Sequence, residues 1–140
     1  TVPAPQKKRS MPYRRITPRD MWVDDPASPL YNQHFVLKHD PVTPWEFKQQ
    51  MKLNDYAHSL KLVIRHNAAD GRQKPVPGAG SSIFFHIWRR DGGAPTAGCT
   101  AMSEENLRAM IAWLDPSRHP LYILLPAREY LRLRRAWGLP

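Results

Sequence analysis

The sequence predicts a mostly β, β-rich α+β fold with a few helices packed outside the strands. Three observations carry that prediction. Two runs of β-branched and aromatic residues are bounded by turn signals, one segment has a clear amphipathic helical stripe, and proline punctuates the rest. Proline supplies 15 of 140 residues, about twice the usual ~5%. It clusters in Thr1–Pro12, in Pro26–Pro44 and at Pro75 and Pro77, where a fixed φ and a missing N–H keep the backbone extended or turning. The length suits one domain whose long loops are the expected carriers of function.

Taken in order, Trp45 to Met51 reads as a short helix after Pro44. Leu60 to His66 is β-branched enough for a strand. Ser81 to Trp88 is a second strand, with Ile83, Phe85 and Ile87 on one face and Phe84, His86 and Trp88 on the other. Ala69–Arg72 and Pro77–Gly80 between them are turns. Ser103 is a good N-cap for the clearest helix, and Glu104 and Glu105 favour the positive end of its dipole. Leu107, Met110, Ile111 and Leu114 then form one stripe, and Asp115-Pro116 ends the helix. Pro120 to Leu125, apolar nearly throughout, reads as a third, buried strand. Pro126 to Trp137 reads as a last helix with the stripe Tyr130, Leu133 and Trp137, with Gly138 after its end.

The formal net charge is +9, and its placement matters more than its size. Residues 1–19 carry six cations and no acid, and residues 127–140 carry four arginines against Glu129. The stretch from 20 to 126 is neutral, which argues against a nucleic-acid-binding body. The basic ends suit solvated tails, or tails drawn to an anionic partner. No apolar run approaches the ~20 residues of a membrane helix. One cysteine excludes an intrachain disulfide and a four-cysteine zinc site, and His34, His39, His58 and His119 show no metal spacing among themselves. Asp24-Asp25-Pro26 reads as a turn, because adjacent carboxylates rarely converge.

The segment richest in chemistry runs from Phe85-His86-Ile87-Trp88 through a glycine-rich loop to Pro95-Thr96-Ala97-Gly98-Cys99. A loop of that length between a strand and a helix can fold back and set thiol beside imidazole. The imidazole can then take the thiol proton, and the thiolate can attack a carbonyl. Gly98 lets backbone approach a substrate and aim amide N–H groups at a developing oxyanion. Spacing alone also admits Cys99 as a small buried hydrophobe and His86 as a hydrogen-bonded core residue. Trp88 and Arg89 suit either a substrate groove or, for the tryptophan, the core, and Arg89-Arg90 also reads as a solvated pair.

The run from Gly80 to Ile87 followed by Ala94 to Met102 resembles the L,D-transpeptidase catalytic domain, or YkuD-like domain. Trp22 to Asn32, and His66-Asn67 ahead of Pro75 to Gly78, resemble a branch of it marked by a Gly-Cys-x-Ala-hydrophobic motif. The resemblance implies a β-sandwich or mixed sheet, with a helix after the catalytic loop and another at the C-terminus. It implies a bacterial-envelope (periplasmic) enzyme acting on peptidoglycan stem peptides, with no metal or organic cofactor. Cys99 is then the nucleophile and His86 the base, oriented by the carbonyl of Ile87. N–H groups of Gly98 and Cys99 form the oxyanion hole, and Trp88, Arg89, Thr96, His66 and Asn67 bind substrate.

Two residues depart from the wider family pattern: Ala97 where a histidine precedes Gly-Cys, and Ala101 where an arginine follows. Nothing in Thr1–Pro12 matches the family's Gly- and Thr-Pro-containing upstream segment. The expected organisation is a basic, proline-rich tail over 1–12, the catalytic domain over 13–125 and a basic helix over 126–140. A protein partner or upstream segment is expected to complete the sheet at an open edge, a signal segment is expected to lie outside this sequence, and no nucleic-acid partner is expected.

Overall fold

Backbone hydrogen bonding in the computed structural model, which describes residues 10–140, sets up two small sheets. Strands β1 (Asp20–Trp22) and β2 (His34–Val36) pair antiparallel, with Met21 opposite Phe35. Strands β3 (Lys61–Val63), β4 (Phe84–Ile87) and β5 (Thr100–Met102) form a mixed sheet in that order. β3 runs antiparallel to β4, with Lys61 opposite His86, and β5 runs parallel to β4, with Ala101 opposite His86. The helices are α1 (Pro44–Gln49), α2 (Glu104–Trp113) and α3 (Ala127–Leu133), with a short 3₁₀ turn at Tyr56–His58. Among the described residues helix outweighs strand, so the architecture is mixed α+β, and "mostly β" overstates the strands.

Alternation along β4 gives the three-stranded sheet two different faces. On one, Phe85 and Ile87 pack with the fully buried Leu107 of α2, joined by Leu60, Leu62, Ile64, Met102, Met110 and Ile111. On the other, Trp22 meets the Phe84 ring edge-on at 5.2 Å, and the Lys61 ammonium lies over that ring at 5.5 Å. The apolar face makes the core, and the mixed face carries the titratable groups.

Local signals explain the helices. Thr43 and Glu46 form a capping box at α1, with Pro44 in its first turn. The Ser103 side chain accepts from the Asn106 N–H at the start of α2. The stripe expected from the sequence is the face α2 buries, with Leu114 standing just past the helix as its C-cap.

Several expected elements are shorter or different. The strand read over Leu60–His66 survives only at Lys61–Val63. The one read over Ser81–Trp88 survives at Phe84–Ile87, because Ser82 adopts φ +54, outside extended backbone. Pro120–Leu125 is neither a strand nor buried: Leu121 is 89% and Leu124 72% exposed. Prolines at both ends and the lack of a paired strand leave that run irregular, its Tyr122 ring packing edge-on against Phe85. The last helix stops at Leu133 and leaves Trp137 exposed. β1, β2 and β5 were not anticipated. Of the basic tail expected over 1–12, the first nine residues lie outside the described residues. Arg14 and Arg19 are anchored, to Asp20 and Asp40.

Candidate active site

His86 sits in β4 on the mixed face, almost wholly buried. Its Nδ1 lies 2.7 Å from the carbonyl oxygen of Ile87. A neutral imidazole that donates through Nδ1–H carries its lone pair on Nε2, so this contact fixes the tautomer as well as the ring plane.

Cys99 stands immediately before β5, half-buried. Continuing the parallel ladder back from Ala101 puts Cys99 on the same face as His86. With strands about 4.8 Å apart and a rise of about 3.3 Å per residue, the two Cα atoms fall roughly 8 Å apart, a gap that a thiol and an imidazole can close. The thiol donates to the carbonyl of Ser82 at 3.6 Å. The loop before it is set by Thr96, whose hydroxyl donates to the Cys99 carbonyl at 2.6 Å and accepts from the Gly98 N–H at 3.4 Å. Gly98 has φ +140, and a Cβ there would come within 3.2 Å of the Ile83 side chain, so glycine is required at this approach. A cleft of about 400 Å³ opens at the sulfur, walled by Asp24, Tyr31, Gly80, Ser82 and Ala97 among others.

The 80–82 wall of this cleft is held by a network that no local sequence pattern announces. Asn32 is buried, with its amide donating to the carbonyls of His66 (2.9 Å) and Asn67 (2.8 Å). Its carbonyl accepts from the Trp22 indole (2.8 Å) and the Ser82 N–H (3.1 Å). One side chain thus ties the β1–β2 turn, the end of β3 and the approach to β4 together. The side chain of Asn67 in turn holds Val76 and Gly80, and the His66 ring contacts the Ala79 carbonyl. His66 and Asn67 therefore direct their polar groups into the 76–80 loop.

The His58 ring stacks on that of His86 at 4.6 Å between centroids, inclined by 28°. His58 Nδ1 meets Asp55 at 2.6 Å, and Asp55 also takes the Arg89 guanidinium. Burial opposes ionisation of Asp55, yet Arg89 and His58 outweigh it and bring the carboxyl down to about 2. Burial pushes His58 below the ordinary histidine range, against the pull of Asp55. Lys61, opposite His86, is likewise lowered by burial, opposed by Asp55 and by the Cys99 sulfur. Arg89 is thus an ion-pair partner, while Trp88 is half-buried beneath Gly92 and Thr96 sits in the loop before Cys99. Asp55 as N-cap of a turn containing His58 is a readable local pattern. Its link to His86 exists only through the β3–β4 register.

Comparison with protein families gives a match to the YkuD model, described as the L,D-transpeptidase catalytic domain, over residues 3–123. No curated protein and no solved structure matches the chain. Among the described residues no helix is long and apolar enough to cross a membrane. The family match spans both small sheets, the Cys99 loop and the whole of α2, so the chain belongs to the YkuD family of L,D-transpeptidase catalytic domains.

Proposed function

We propose that the chain is a cysteine-dependent acyltransferase, an L,D-transpeptidase working on peptidoglycan stem peptides in the bacterial envelope, on its periplasmic side. Sulfur attack on the amide carbonyl of an L-centre forms the S–C bond while His86 Nε2 takes the thiol proton. Charge gathers on the former carbonyl oxygen, near the Cys99 N–H and the Gly98 N–H, which gives up its long contact with Thr96 to reach it. Collapse breaks the C–N bond, His86 returns the proton to the departing D-residue amine, and a thioester is left on Cys99. A second amine attacks that thioester, gives its proton to His86 and releases the thiolate, forming a 3→3 cross-link or exchanging the terminal D-residue. Water in place of that amine would give an L,D-carboxypeptidase. Trp88 borders the stem peptide in this reading, Thr96 serves it by setting the Cys99 loop, His66 and Asn67 by holding the cleft wall, and Arg89 stays with Asp55. The fuller β-sandwich that the resemblance implies belongs to the same proposal.

The observation that carries the proposal is the Nδ1–Ile87 contact, which leaves Nε2 as the base on the sheet face that Cys99 shares. One observation favours a catalytically silent member that binds cell wall or a protein: at rest the thiol donates to Ser82 rather than to His86. Reaction then needs a rotation about the Cys99 Cα–Cβ bond. Intact mass after exposure to a carbapenem separates the two readings. Acylation of the protein but not of Cys99→Ala, together with product from a stem tetrapeptide, supports the enzyme; an unmodified thiol and no product supports the silent member.

A further inference from the structure

Beyond the nucleophile, base and orienting carbonyl, the structure holds a second imidazole in face-to-face contact with the first. The His58 ring cannot tilt freely. Its Nδ1 meets Asp55 at 2.6 Å, the Asp55 carboxylate also caps the turn by accepting from the His58 backbone N–H at 3.0 Å, and its other oxygen takes Arg89. The arrangement runs from Arg89, three residues after His86, through Asp55 to a ring lying 4.6 Å from the His86 ring at 28°. His86 is consequently held at two points, by the Ile87 carbonyl at its edge and by His58 across its face. An edge contact alone allows the ring to swing about the Nδ1–H···O axis, and a plate on its face removes that freedom.

We propose that His58, fixed by Asp55 and Arg89, is a positioning residue that holds the plane of the His86 imidazole so that Nε2 stays directed toward Cys99. It acts through His86 and touches no substrate. The inference rests on the reading of His86 as the base. Small displacements of a reacting group are costly, about 10²-fold for roughly 1 Å, so a loosened base should appear in turnover before it appears in binding.

The test uses the full chain, a stem tetrapeptide ending in a D-residue, and release of that residue as the readout. His58→Ala is expected to lower kcat about tenfold, the equivalent of ~1.4 kcal/mol in barrier, with KM moved less than about twofold. His58→Phe restores a flat ring and is expected to recover kcat to within about threefold. Asp55→Asn, which leaves both rings in place and weakens the anchor, should fall between them. Unchanged kcat in folded His58→Ala, or equal losses in the alanine and phenylalanine variants, would overturn the positioning role. Should His58→Ala fail to fold, unchanged kcat in Asp55→Asn overturns it instead. Cys99→Ala and His86→Ala run alongside: full activity in those two sinks the transpeptidase reading itself, whereas inactivity there with a normal His58→Ala sinks only this inference.

Discussion

Asn32 offers the sharpest link between folding and the site. It is buried, sits at φ +52, and makes four hydrogen bonds to three separate segments. Truncation to alanine removes all four, at a net cost of about 1 kcal/mol each, and forces a Cβ-bearing residue without a compensating polar group into the left-handed region, for about 1 kcal/mol more. The expected loss is therefore roughly 4–5 kcal/mol, a large part of the ~5–15 kcal/mol that holds an ordinary domain together. Urea unfolding followed by fluorescence should show a lower midpoint with little change in slope. Asn32→Gly relieves the backbone term but not the bonds, so it should recover no more than about 1 kcal/mol. Asn32→Asp keeps the acceptors for Trp22 and Ser82 yet turns a carboxylate oxygen toward two carbonyls, so it should be no better than alanine at neutral pH and improve as the carboxyl protonates. Because Asn32 holds Ser82 in the wall of the Cys99 cleft, carbapenem acylation of any folded fraction should slow as well. A loss below about 1.5 kcal/mol in Asn32→Ala, or an aspartate variant as stable as the parent, would refute the claim that this amide knits the three segments together.

Three further outcomes follow from the same reasoning. Asp20 is wholly buried; burial alone would raise its carboxyl, but Arg14, Thr17 and His34 outweigh it and hold it well below 3.8. A lowered folded value means stability is present above the unfolded value and lost as acid protonates the group, so urea midpoints should fall between about pH 5 and pH 2 and the slope should flatten in Asp20→Asn. Leu107→Ala, at 0% exposure against Phe85 and Ile87, should cost about 2–5 kcal/mol by the same urea titration, and a cost under 1 would mean that α2 is not the lid of the core. Gly98→Ala, strained at φ +140 and crowded by Ile83, should cost about 1–3 kcal/mol and slow acylation of Cys99; acylation at the parent rate would show that the loop tolerates a side chain there.

What could be read from the sequence divides along a physical line. β4 was legible because alternating bulky residues are written into its own eight-residue neighbourhood, and α2 because cap, acidic first turn and stripe all lie within one helix. Cys99 and His86 were singled out for the same reason, since a thiol, a glycine and an imidazole sit on one short stretch of chain. β1, β2 and β5 are three residues each, too short for periodicity to rise above the noise of a proline-rich sequence. Pro120–Leu125 misled in the other direction: hydrophobicity announces a wish for burial, but a strand also needs a neighbour to receive its N–H and C=O groups, and here none is paired.

The residues that sequence reasoning missed share a feature: each acts across a register that no local pattern encodes. Asp55 and His58 look like an ordinary capped turn until the antiparallel pairing of Lys61 with His86 swings that turn over the imidazole. Asn32 looks like a turn residue until its amide is found bridging residues 66, 67 and 82. Cys99 and His86 lie thirteen residues apart on one stretch of chain, and so appear together in sequence. The ring stacked on His86 and the bonds that hold the Ser82 side of the cleft come from other segments, because strand pairing, not chain neighbourhood, brings residues 55–58 and 32 beside 82–86. Distant substitutions at Asn32, Asp55 or His58 should consequently act through the geometry of Cys99 and His86, while substitutions in the 96–99 loop act on the backbone that carries Cys99 itself.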